Sequence, residues 1–453
     1  MRKIKKEMDL LHGSLWDKIL IFALPLAASS ILQQLFNSAD VAVVGQFAGS
    51  RALAAVGSNG AVINLLVNIF VGLSVGANVI IARYIGEKNV RKVQSAVHTA
   101  VLVAVISGLI IMLLGLAVTR PILTLMSTPE DIIDLAVVYL RIYFLGMPFM
   151  MLYNFGAAIL RSRGDTKRPF VCLLISGIVN IILNLFFVVV CKLSVAGVGI
   201  ATVVSNIISS CMVLYFLIHE ESEIKLSLRK LRIDFRILKE IARIGLPAGL
   251  QGVVFSFSNI CIQSALNSLG SDAVAGSAAA LNFEYFVYFL LNAFTQACIT
   301  FTSQNYGAGE YSRCKRVTQL CVLMGFVFST ALSLVFYLLG ENVLRFYTTE
   351  PVVMEIGLLR MKYCLLMQFV SVFMDVFSGS LRGLGYSMIP ALISLASSCG
   401  FRLLWVYAVF PKSRTFTTLV QSYPISWVIG SAGMVIAYFI VSRLLLRRNK
   451  NNG

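Results

Sequence analysis

A single carboxylate interrupts the first long apolar stretch of the chain. Asp40 is the only charged residue between Ile19 and Ala48. A charge at membrane depth costs several kcal/mol, so such residues usually face an interior cavity or a partner. Burial also disfavours the ionised form of a carboxylate, which allows the group to bind and release protons. Asp40 is therefore the first candidate for a proton or cation site, with a capping or salt-bridging role as the structural alternative.

The composition places this carboxylate in a membrane. Of the 453 residues, 58% are hydrophobic and only 13% are charged. Apolar runs of about 20 residues are long enough to span a hydrocarbon core. There the backbone polar groups must be satisfied within helices or a closed barrel, and runs that are continuous rather than alternating indicate helices. We predict an all-α membrane protein with twelve spans, roughly at residues 15–39, 53–82, 94–118, 135–159, 170–191, 196–218, 236–266, 274–302, 317–339, 357–380, 388–410 and 416–445.

The basic residues predict the orientation of these spans. The formal net charge is +17, and Lys and Arg concentrate in alternate connections and at both ends of the chain. By the positive-inside rule, both termini are cytoplasmic. The apolar run after the basic start is too long for a cleaved signal peptide, so we expect a multi-pass protein of a bacterial cytoplasmic membrane. Because the charge flanks spans and no nucleic-acid-binding motif accompanies it, we expect no nucleic-acid partner.

The two halves of the chain repeat each other. With an offset of 222 residues, the ALPLA sequence at 23–27 aligns with GLPAG at 245–249, and Asn37 aligns with Asn259. With one residue less, two LRxxGxxxxP signatures align, at 160–169 and 381–390. Six spans per half give both halves the same orientation, related by a pseudo-twofold axis along the membrane normal. We predict two six-helix bundles around a central cleft, residues 1–228 (spans 1–6) and residues 229–453 (spans 7–12).

These motifs resemble those of the multidrug and toxic compound extrusion (MATE) transporters. The resemblance extends roughly from residue 15 to residue 445. It rests on Pro25 followed by Asp40-x-x-x-x-Gly45, on QNYGAGE at 304–310 and on the paired LRxxGxxxxP signatures. The chain is most similar to the bacterial branch with Glu284 in span eight. The resemblance implies antiport by alternating access, in which amphipathic, often cationic compounds move outward in exchange for H⁺ or Na⁺.

The resemblance also implies roles for individual residues. Pro25 matches a helix-bending proline, and Asp40 matches the acid of the first span. The family's cation site in the amino-terminal lobe corresponds to Asn180, Asn184 and Thr202, and Asn184 stands where those members have an acid. A Na⁺ site on one carboxylate and neutral oxygens remains open, since hard cations accept such ligands. The missing acid favours H⁺ as the coupling ion.

Two further carboxylates lie in apolar segments of the second half, Glu284 in span eight and Asp375 in span ten. Asp375 matches an acid that several family members carry, and we expect it to bind substrate or protons. Glu284 either has the same role or forms a structural ion pair with Arg402, the basic residue deep in span eleven. Several polar, aromatic and Met residues are interpreted as lining the cleft, with ordinary packing as the alternative: Gln34, Phe36, Asn37, Met151, Asn154, Phe257, Asn259, Tyr285, Tyr288 and Met374.

We therefore predict a secondary active antiporter with small-molecule substrates, lipid neighbours, no cofactor and a monomeric state. The nearer alternative is a flippase for lipids or lipid-linked oligosaccharides, which would favour a cleft rich in Arg and Lys. We expect mainly acidic interior charges, which argues against it. The distant alternative is a membrane-embedded enzyme. The chain contains neither HExxH nor GxSxG, and its nine Cys and three His form no catalytic or metal-binding pattern, which argues against an enzyme.

Overall fold

The computed structural model describes residues 8–126, 128–345 and 347–452, and its regular elements are helices. The helices of the first half are α1 (Trp16–Phe47), α2 (Ser50–Ser58), α3 (Gly60–Gly86), α4 (Val90–Leu125), α5 (Glu130–Leu145), α6 (Met147–Ser162), α7 (Lys167–Leu185, continued by a π-helical turn at Phe186–Val190) and α8 (Ser194–Ile218). A short 3₁₀ helix, Leu228–Lys230, lies in the basic linker that follows.

The second half repeats this order with more interruptions. Its helices are α9 (Phe235–Asn267), α10 (Ser271–Gly307), α11 (Tyr311–Leu338), α12 (Gly340–Leu344), α13 (Pro351–Arg360), α14 (Phe369–Gly383), α15 (Met388–Ser394), α16 (Phe401–Leu404), α17 (Phe410–Ser413) and α18 (Phe416–Asn452). π-Helical turns at Met361–Leu365, Leu395–Gly400 and Trp405–Val409 extend or join α13, α15, α16 and α17. The fifth span of this half is thus one helical rod with local changes of hydrogen-bond register, and the fourth contains a similar change at Met361–Leu365.

The number of spans matches the hydropathy pattern. Among the described residues, ten helical rods are long and apolar enough to cross a membrane, and twelve spans result when each of two bent pairs counts as one. One bent pair is α5 and α6, which meet at an angle of 46°. The other is α13 with its π-helical turn and α14, at 43°. The predicted all-helical membrane fold is confirmed, and the matching bends show the internal repeat in the backbone.

The paired LRxxGxxxxP signatures have a backbone explanation. Gly164 and Gly385, the glycines of the two signatures, have φ angles of 94° and 96°. Side chains rarely adopt this left-handed region, so glycine is favoured at both positions. Each glycine lies between the end of one helix and the start of the next, and the signature's proline falls in the first turn of that next helix. The two signatures therefore encode the same turn into a helix.

The contacts divide the chain into two compact units. The amino-terminal unit contains the described residues up to Asp9 and residues Ala28–Gly249, and the carboxy-terminal unit contains Leu10–Ala27 and Leu250–Gly453. These units differ from the two halves of the repeat at two segments, 10–27 and 229–249. Each of these two segments ends two residues beyond a proline inside a long helix, Pro25 in α1 and Pro247 in α9. A proline leaves one backbone hydrogen bond of a helix unmade, so it marks a place where the helix can bend.

Close helix packing joins the start of α9 to α3 inside the amino-terminal unit. Gly72 and Gly76 of α3 face Gly245 and Gly249 of α9, so a GxxxG pair meets a second GxxxG pair. A Cβ atom added to Gly72 would come within 2.6 Å of the Gly245 carbonyl oxygen, and one added to Gly76 within 2.9 Å of the Gly245 nitrogen. In membranes such small residues let backbones approach closely. This contact ties the first half of α9 to the amino-terminal unit.

We expect Gly76→Ala to destabilise the protein, because its Cβ would meet backbone atoms that cannot move aside. Overpacking of this kind costs about 1–3 kcal/mol, so the melting temperature of the purified protein should fall by several degrees. Gly57→Ala is the matched control, since a Cβ at Gly57 would meet no atom within 4 Å. Equal melting temperatures for Gly76→Ala and the wild type would contradict the packing described here.

Candidate functional site

A polar cluster surrounds Asp40 inside the amino-terminal unit. Asp40 is half-buried on the second half of α1, and Asn180 and Asn184 are buried one turn apart on α7. The Asn184 side-chain amide donates from Nδ2 both to the Asp40 carboxylate and to Asn180 Oδ1, the latter at 3.1 Å. The structure thus brings together three of the four residues assigned to the amino-terminal site.

Neutral groups alone surround this carboxylate in the part of the chain that the structure describes. No Lys, Arg or His there forms an ion pair with Asp40. Tyr139 and Tyr143 of α5 lie near enough to interact electrostatically with it. The Asn184 side-chain oxygen is buried and has no hydrogen-bond partner among the described residues. Asp40 is therefore a carboxylate held by an amide, without a counter-charge.

Thr202 stands apart from this cluster. Its hydroxyl donates within its own helix, α8, to the Val198 carbonyl oxygen at 2.9 Å. No hydrogen bond among the described residues joins it to Asp40, Asn180 or Asn184. A threonine hydroxyl bonded to the preceding turn is satisfied locally. The structure therefore supports a cluster of one carboxylate and two amides, without Thr202.

The carboxy-terminal unit contains a fully paired carboxylate. Glu284 of α10 accepts two hydrogen bonds from Arg360 at the end of α13, from Nε at 2.7 Å and from Nη2 at 2.9 Å. The third donor group of Arg360, Nη1, donates to Ser277 at 2.7 Å. Gln368 donates to the backbone oxygen of Glu284 at 3.2 Å. Such a bidentate, buried arginine–carboxylate pair holds both charges in one geometry.

Glu284 does not form the ion pair with Arg402 that was the structural alternative to a substrate or proton role, because its ion pair is with Arg360. Arg402, on α16, donates from Nε to Ser426 at 2.8 Å and places its guanidinium 4.5 Å from the centre of the Tyr423 ring. Arg360 lies over the same ring at 5.2 Å, so the two arginines are neighbours. The signal available in the sequence for Arg360 was its position near the start of predicted span ten, where it resembled a charge at a span end.

Asp375 lies in a second polar group of the same unit. It interacts electrostatically with Arg382, two turns further along α14, and with Tyr288 of α10, but no ion pair within 4.0 Å joins it to a described residue. Arg382 instead donates to the side-chain oxygen of Gln251, whose amide donates to Ser394 at 2.7 Å. Asp375 is thus the less constrained of the two carboxylates in this unit.

These contacts also correct the expected balance of interior charge. The expectation was that interior charges are mainly acidic. Beside Glu284 and Asp375, however, the helices of the carboxy-terminal unit enclose Arg360, Arg382 and Arg402. The carboxy-terminal unit therefore combines arginine and carboxylate, whereas the cluster around Asp40 contains a carboxylate and amides.

The residues interpreted as cleft-lining fall into three groups. Met151 is 0% exposed and Met374 is 7% exposed, so both are packing residues in their units and the interpretation of them as lining was wrong. Phe36 packs its ring against Gly177 of α7, and Asn154 donates to the Met150 carbonyl oxygen at 2.9 Å. The remaining residues are exposed or half-exposed on their units: Gln34, Asn37, Phe257, Asn259, Tyr285 and Tyr288.

Comparisons with known proteins agree on one family. The MatE family model matches two segments, residues 25–186 and 247–408, which together make up more than half of the chain and repeat the offset of 222. A probable multidrug resistance protein of Bacillus subtilis, YoeA, is 28% identical over 396 residues, 85% of each chain. A probable multidrug resistance protein of Thermotoga maritima, NorM, is 26% identical over 390 residues, 85% of this chain and 84% of the relative.

A solved structure extends this similarity to the fold. The outward-facing structure of a multidrug resistance MATE family transporter of the MOP superfamily superposes with a TM-score of 0.88 at 22% identity. The superposition covers 99% of this chain and 100% of that one. At this level of identity the likeness concerns the fold, and the chemistry of the site must be argued from the residues of this chain.

We expect Arg360→Ala to destabilise the protein by about 3–5 kcal/mol, because removing one partner leaves the buried Glu284 carboxylate uncompensated. The double variant Glu284→Leu/Arg360→Met should recover most of that loss. Arg120→Ala is the control, since Arg120 pairs at 3.3 Å with Asp134 where both side chains are mostly exposed and such pairs contribute little. Chemical or thermal unfolding of the purified proteins measures all three. A double variant as unstable as Arg360→Ala would contradict the assignment of this pair.

Proposed function

The chain belongs to the MatE family of membrane transporters rather than to a family of enzymes, and we propose that it is a secondary active antiporter. In this proposal it exports amphipathic or cationic compounds by alternating access, in exchange for inward movement of H⁺. The names of its Bacillus subtilis and Thermotoga maritima relatives, which describe probable multidrug resistance proteins, support export of such compounds. We retain the expectations of a monomer in a bacterial cytoplasmic membrane, with both termini inside.

The observation that carries the proposal is the hydrogen bond between Asn184 and Asp40. Asp40 lies on a membrane span, and its carboxylate has no counter-charge among the described residues. An ionisable group in such a place is a functional candidate, because an uncompensated charge there is costly and a neutralised acid is not. Binding a proton removes the cost, and releasing it restores the charge. Asp40 can therefore be loaded and unloaded according to which side of the membrane supplies water.

The amide of Asn184 suits proton coupling. It donates from Nδ2 to the ionised carboxylate, and its side-chain oxygen has no hydrogen-bond partner among the described residues. After rotation of the amide, that oxygen can accept the proton of a neutral Asp40, since an asparagine carries donor and acceptor on one group. A carboxylate at position 184 would instead add a second negative charge and favour a metal cation. For this reason we assign H⁺ rather than Na⁺ as the coupling ion.

The energetics of such coupling are sufficient for export. Moving one unit charge inward across a potential of 100 mV releases about 2.3 kcal/mol. A tenfold difference in proton concentration adds about 1.4 kcal/mol per proton. One proton per cycle supplies both contributions to the export of an uncharged compound, whereas export of a singly charged cation needs a second proton to gain the contribution of the membrane potential. A cationic compound also pairs with a carboxylate, so substrate and proton compete for the same group.

The three candidate carboxylates receive different roles in this proposal. Asp40 is the coupling site of the amino-terminal unit. Asp375, which lacks an ion pair within 4.0 Å among the described residues, is the carboxylate of the carboxy-terminal unit that can bind a cationic group or a proton. Glu284 is held by two nitrogens on one edge of the Arg360 guanidinium, so we assign it a structural role.

We expect Asp40→Asn to reduce dye export driven by a pH gradient at least tenfold, because an amide cannot gain and lose a proton. The measurement is efflux of a preloaded cationic dye from right-side-out vesicles with an imposed inward pH gradient or an imposed inward Na⁺ gradient. Asp272→Asn, at an exposed position in the first turn of α10, is the control and should transport normally. Undiminished transport by a folded Asp40→Asn protein would refute the proposed coupling site, and transport driven by the Na⁺ gradient alone would refute H⁺ coupling.

We expect Asn184→Asp to shift the coupling from H⁺ towards Na⁺. Two carboxylates facing each other repel unless a cation or a proton lies between them, and carboxylate oxygens are good ligands for hard cations. Dye efflux driven by a Na⁺ gradient should therefore rise from near zero to a measurable rate in this variant. Thr202→Asp, on the neighbouring helix but outside the cluster, is the control. A variant that folds but responds to neither added nor removed Na⁺ would contradict the role given to Asn184.

A further inference from the structure

The linker between α8 and α9 has one face that the protein holds in place. The backbone N–H of Ser227 donates to His98 Nε2 at 3.1 Å, and that of Asp234 donates to Thr99 Oγ1 at 3.0 Å, so α4 fixes two points of the linker. Leu226, next to the first of these points, is only 1% exposed. The linker therefore has a defined shape, and the proposed transport mechanism leaves it without a function.

The other face of the linker exposes apolar and basic side chains together. Leu228 is 60% exposed and Phe235 is 77% exposed, although both are large hydrophobic residues. Four basic residues of the same stretch are also exposed: Arg229, Lys230, Arg232 and Arg236. We call these six residues the linker surface.

The protein pairs other basic residues of this region with its own carboxylates. Arg163 forms an ion pair with Glu223, and Arg168 forms ion pairs with Asp165 and Glu220. The four basic residues of the linker surface form no such pair among the described residues. Their charges are therefore available to an anion that this region of the chain does not supply.

The position of the basic residues does not serve helix α9. Asp234 caps the helix, since its Oδ1 accepts from the backbone N–H groups of Arg236 at 3.0 Å and Ile237 at 3.4 Å. The start of a helix carries a partial positive charge, which disfavours basic side chains in the first turn. Arg236 nevertheless lies in that turn, which contains no acidic residue. Stability of the helix therefore does not explain this arginine, whereas attraction of an external anion does.

The linker lies close to the membrane surface because a membrane span adjoins each of its ends. α8 ends at Ile218, and α9 begins at Phe235. At this level, Lys and Arg attract anionic lipid headgroups, and neighbouring apolar side chains enter the boundary between headgroups and acyl chains. Free phosphate would match the charge but would leave Leu228 and Phe235 in water. A lipid satisfies both halves of the linker surface.

We propose that the linker surface binds anionic phospholipids, with its basic side chains on the headgroup phosphates and with Leu228 and Phe235 inserted beside the acyl chains. Because the linker is fixed to α4 and continues into α9, the bound lipids anchor the start of α9. The interaction involves neither the exported compound nor the coupling ion. It therefore goes beyond the proposed function, and its test does not depend on transport.

The test compares two fluorescent lipids that have the same acyl chains, phosphatidylglycerol and phosphatidylcholine. Each is titrated into the purified full-length protein in a neutral detergent, and binding is measured by fluorescence anisotropy. At low salt, phosphatidylglycerol should bind at least about tenfold more tightly, because each basic residue near an anionic lipid adds attraction. This preference should fall severalfold in about 0.5 M NaCl, which screens exposed charges. Equal affinities at low salt would overturn the inference without any variant.

Two variants separate the charges from the apolar side chains. Arg232→Gln/Arg236→Gln should weaken binding of phosphatidylglycerol about fivefold or more and that of phosphatidylcholine less than about twofold. Arg232→Lys/Arg236→Lys keeps the charge and should keep most of the preference. Leu228→Ser/Phe235→Ser should weaken both lipids by a similar factor, because it removes the inserted apolar surface. Undiminished binding of both lipids by this last variant would overturn the inference.

The matched control is Lys315→Gln/Arg316→Gln. Both residues are exposed near the start of α11, and no exposed large apolar side chain adjoins them in the described part of this helix. The control should change both affinities less than about twofold, since it leaves the linker surface intact. A loss equal to that of Arg232→Gln/Arg236→Gln would show an effect of total charge and would overturn the inference. Displacement of phosphatidylglycerol by inorganic phosphate beyond the effect of NaCl at equal ionic strength would also overturn it, because the site would then be one for free anions.

Discussion

The structure depends on one constraint, that a charge within a membrane span must find its partner inside the protein. The two units meet this constraint differently. In the amino-terminal unit, Asp40 has an amide from Asn184 and no counter-charge among the described residues. In the carboxy-terminal unit, Glu284 is tied to Arg360. The position that corresponds to Asp40 in the second repeat is Ile262, which packs in an apolar cluster. The repeated scaffold therefore carries a carboxylate with an amide partner in one copy, and in the other a structural ion pair with a separate carboxylate, Asp375, that has no ion pair within 4.0 Å among the described residues.

The span count was accessible from the sequence because hydropathy is a local property, and the internal repeat was accessible because several landmarks recur in one register. Hydropathy reports the length of each apolar run, and landmarks such as Pro25 and Pro247 report the register between the copies. The bend between α5 and α6 has a signal in the sequence, since Gly146 ends α5 and Pro148 lies in the first turn of α6. The bend between α13 and α14 was not accessible, because the π-helical turn at Met361–Leu365 has no clear composition signal. Arg360 is the last residue of α13, directly before that turn. A reading of charges along the chain could therefore find Glu284 but not its partner.

The cluster around Asp40 shows a different limit. The family resemblance placed Asn180 and Asn184 beside Asp40, and the i, i+4 spacing on one helix makes both amides available to one carboxylate. The same resemblance added Thr202, whose hydroxyl is already satisfied by the turn before it. Hydroxyls in membrane helices often bond their own backbone, so a shared position in an alignment does not establish a shared ligand.

Each unit contains the first part of a long helix from the other half of the repeat, and this arrangement has a consequence for the order of folding. Segment 10–27 is synthesised among the first residues, yet it packs with the carboxy-terminal unit, whose other residues begin at Leu250. The amino-terminal unit in turn includes residues up to Gly249, beyond the middle of the chain. The amino-terminal unit cannot complete its packing when its own six spans have left the ribosome, because it also needs the start of α9. The protein must therefore keep an unfinished amino-terminal bundle in the membrane until α9 arrives, and segment 10–27 must wait still longer for the unit with which it packs.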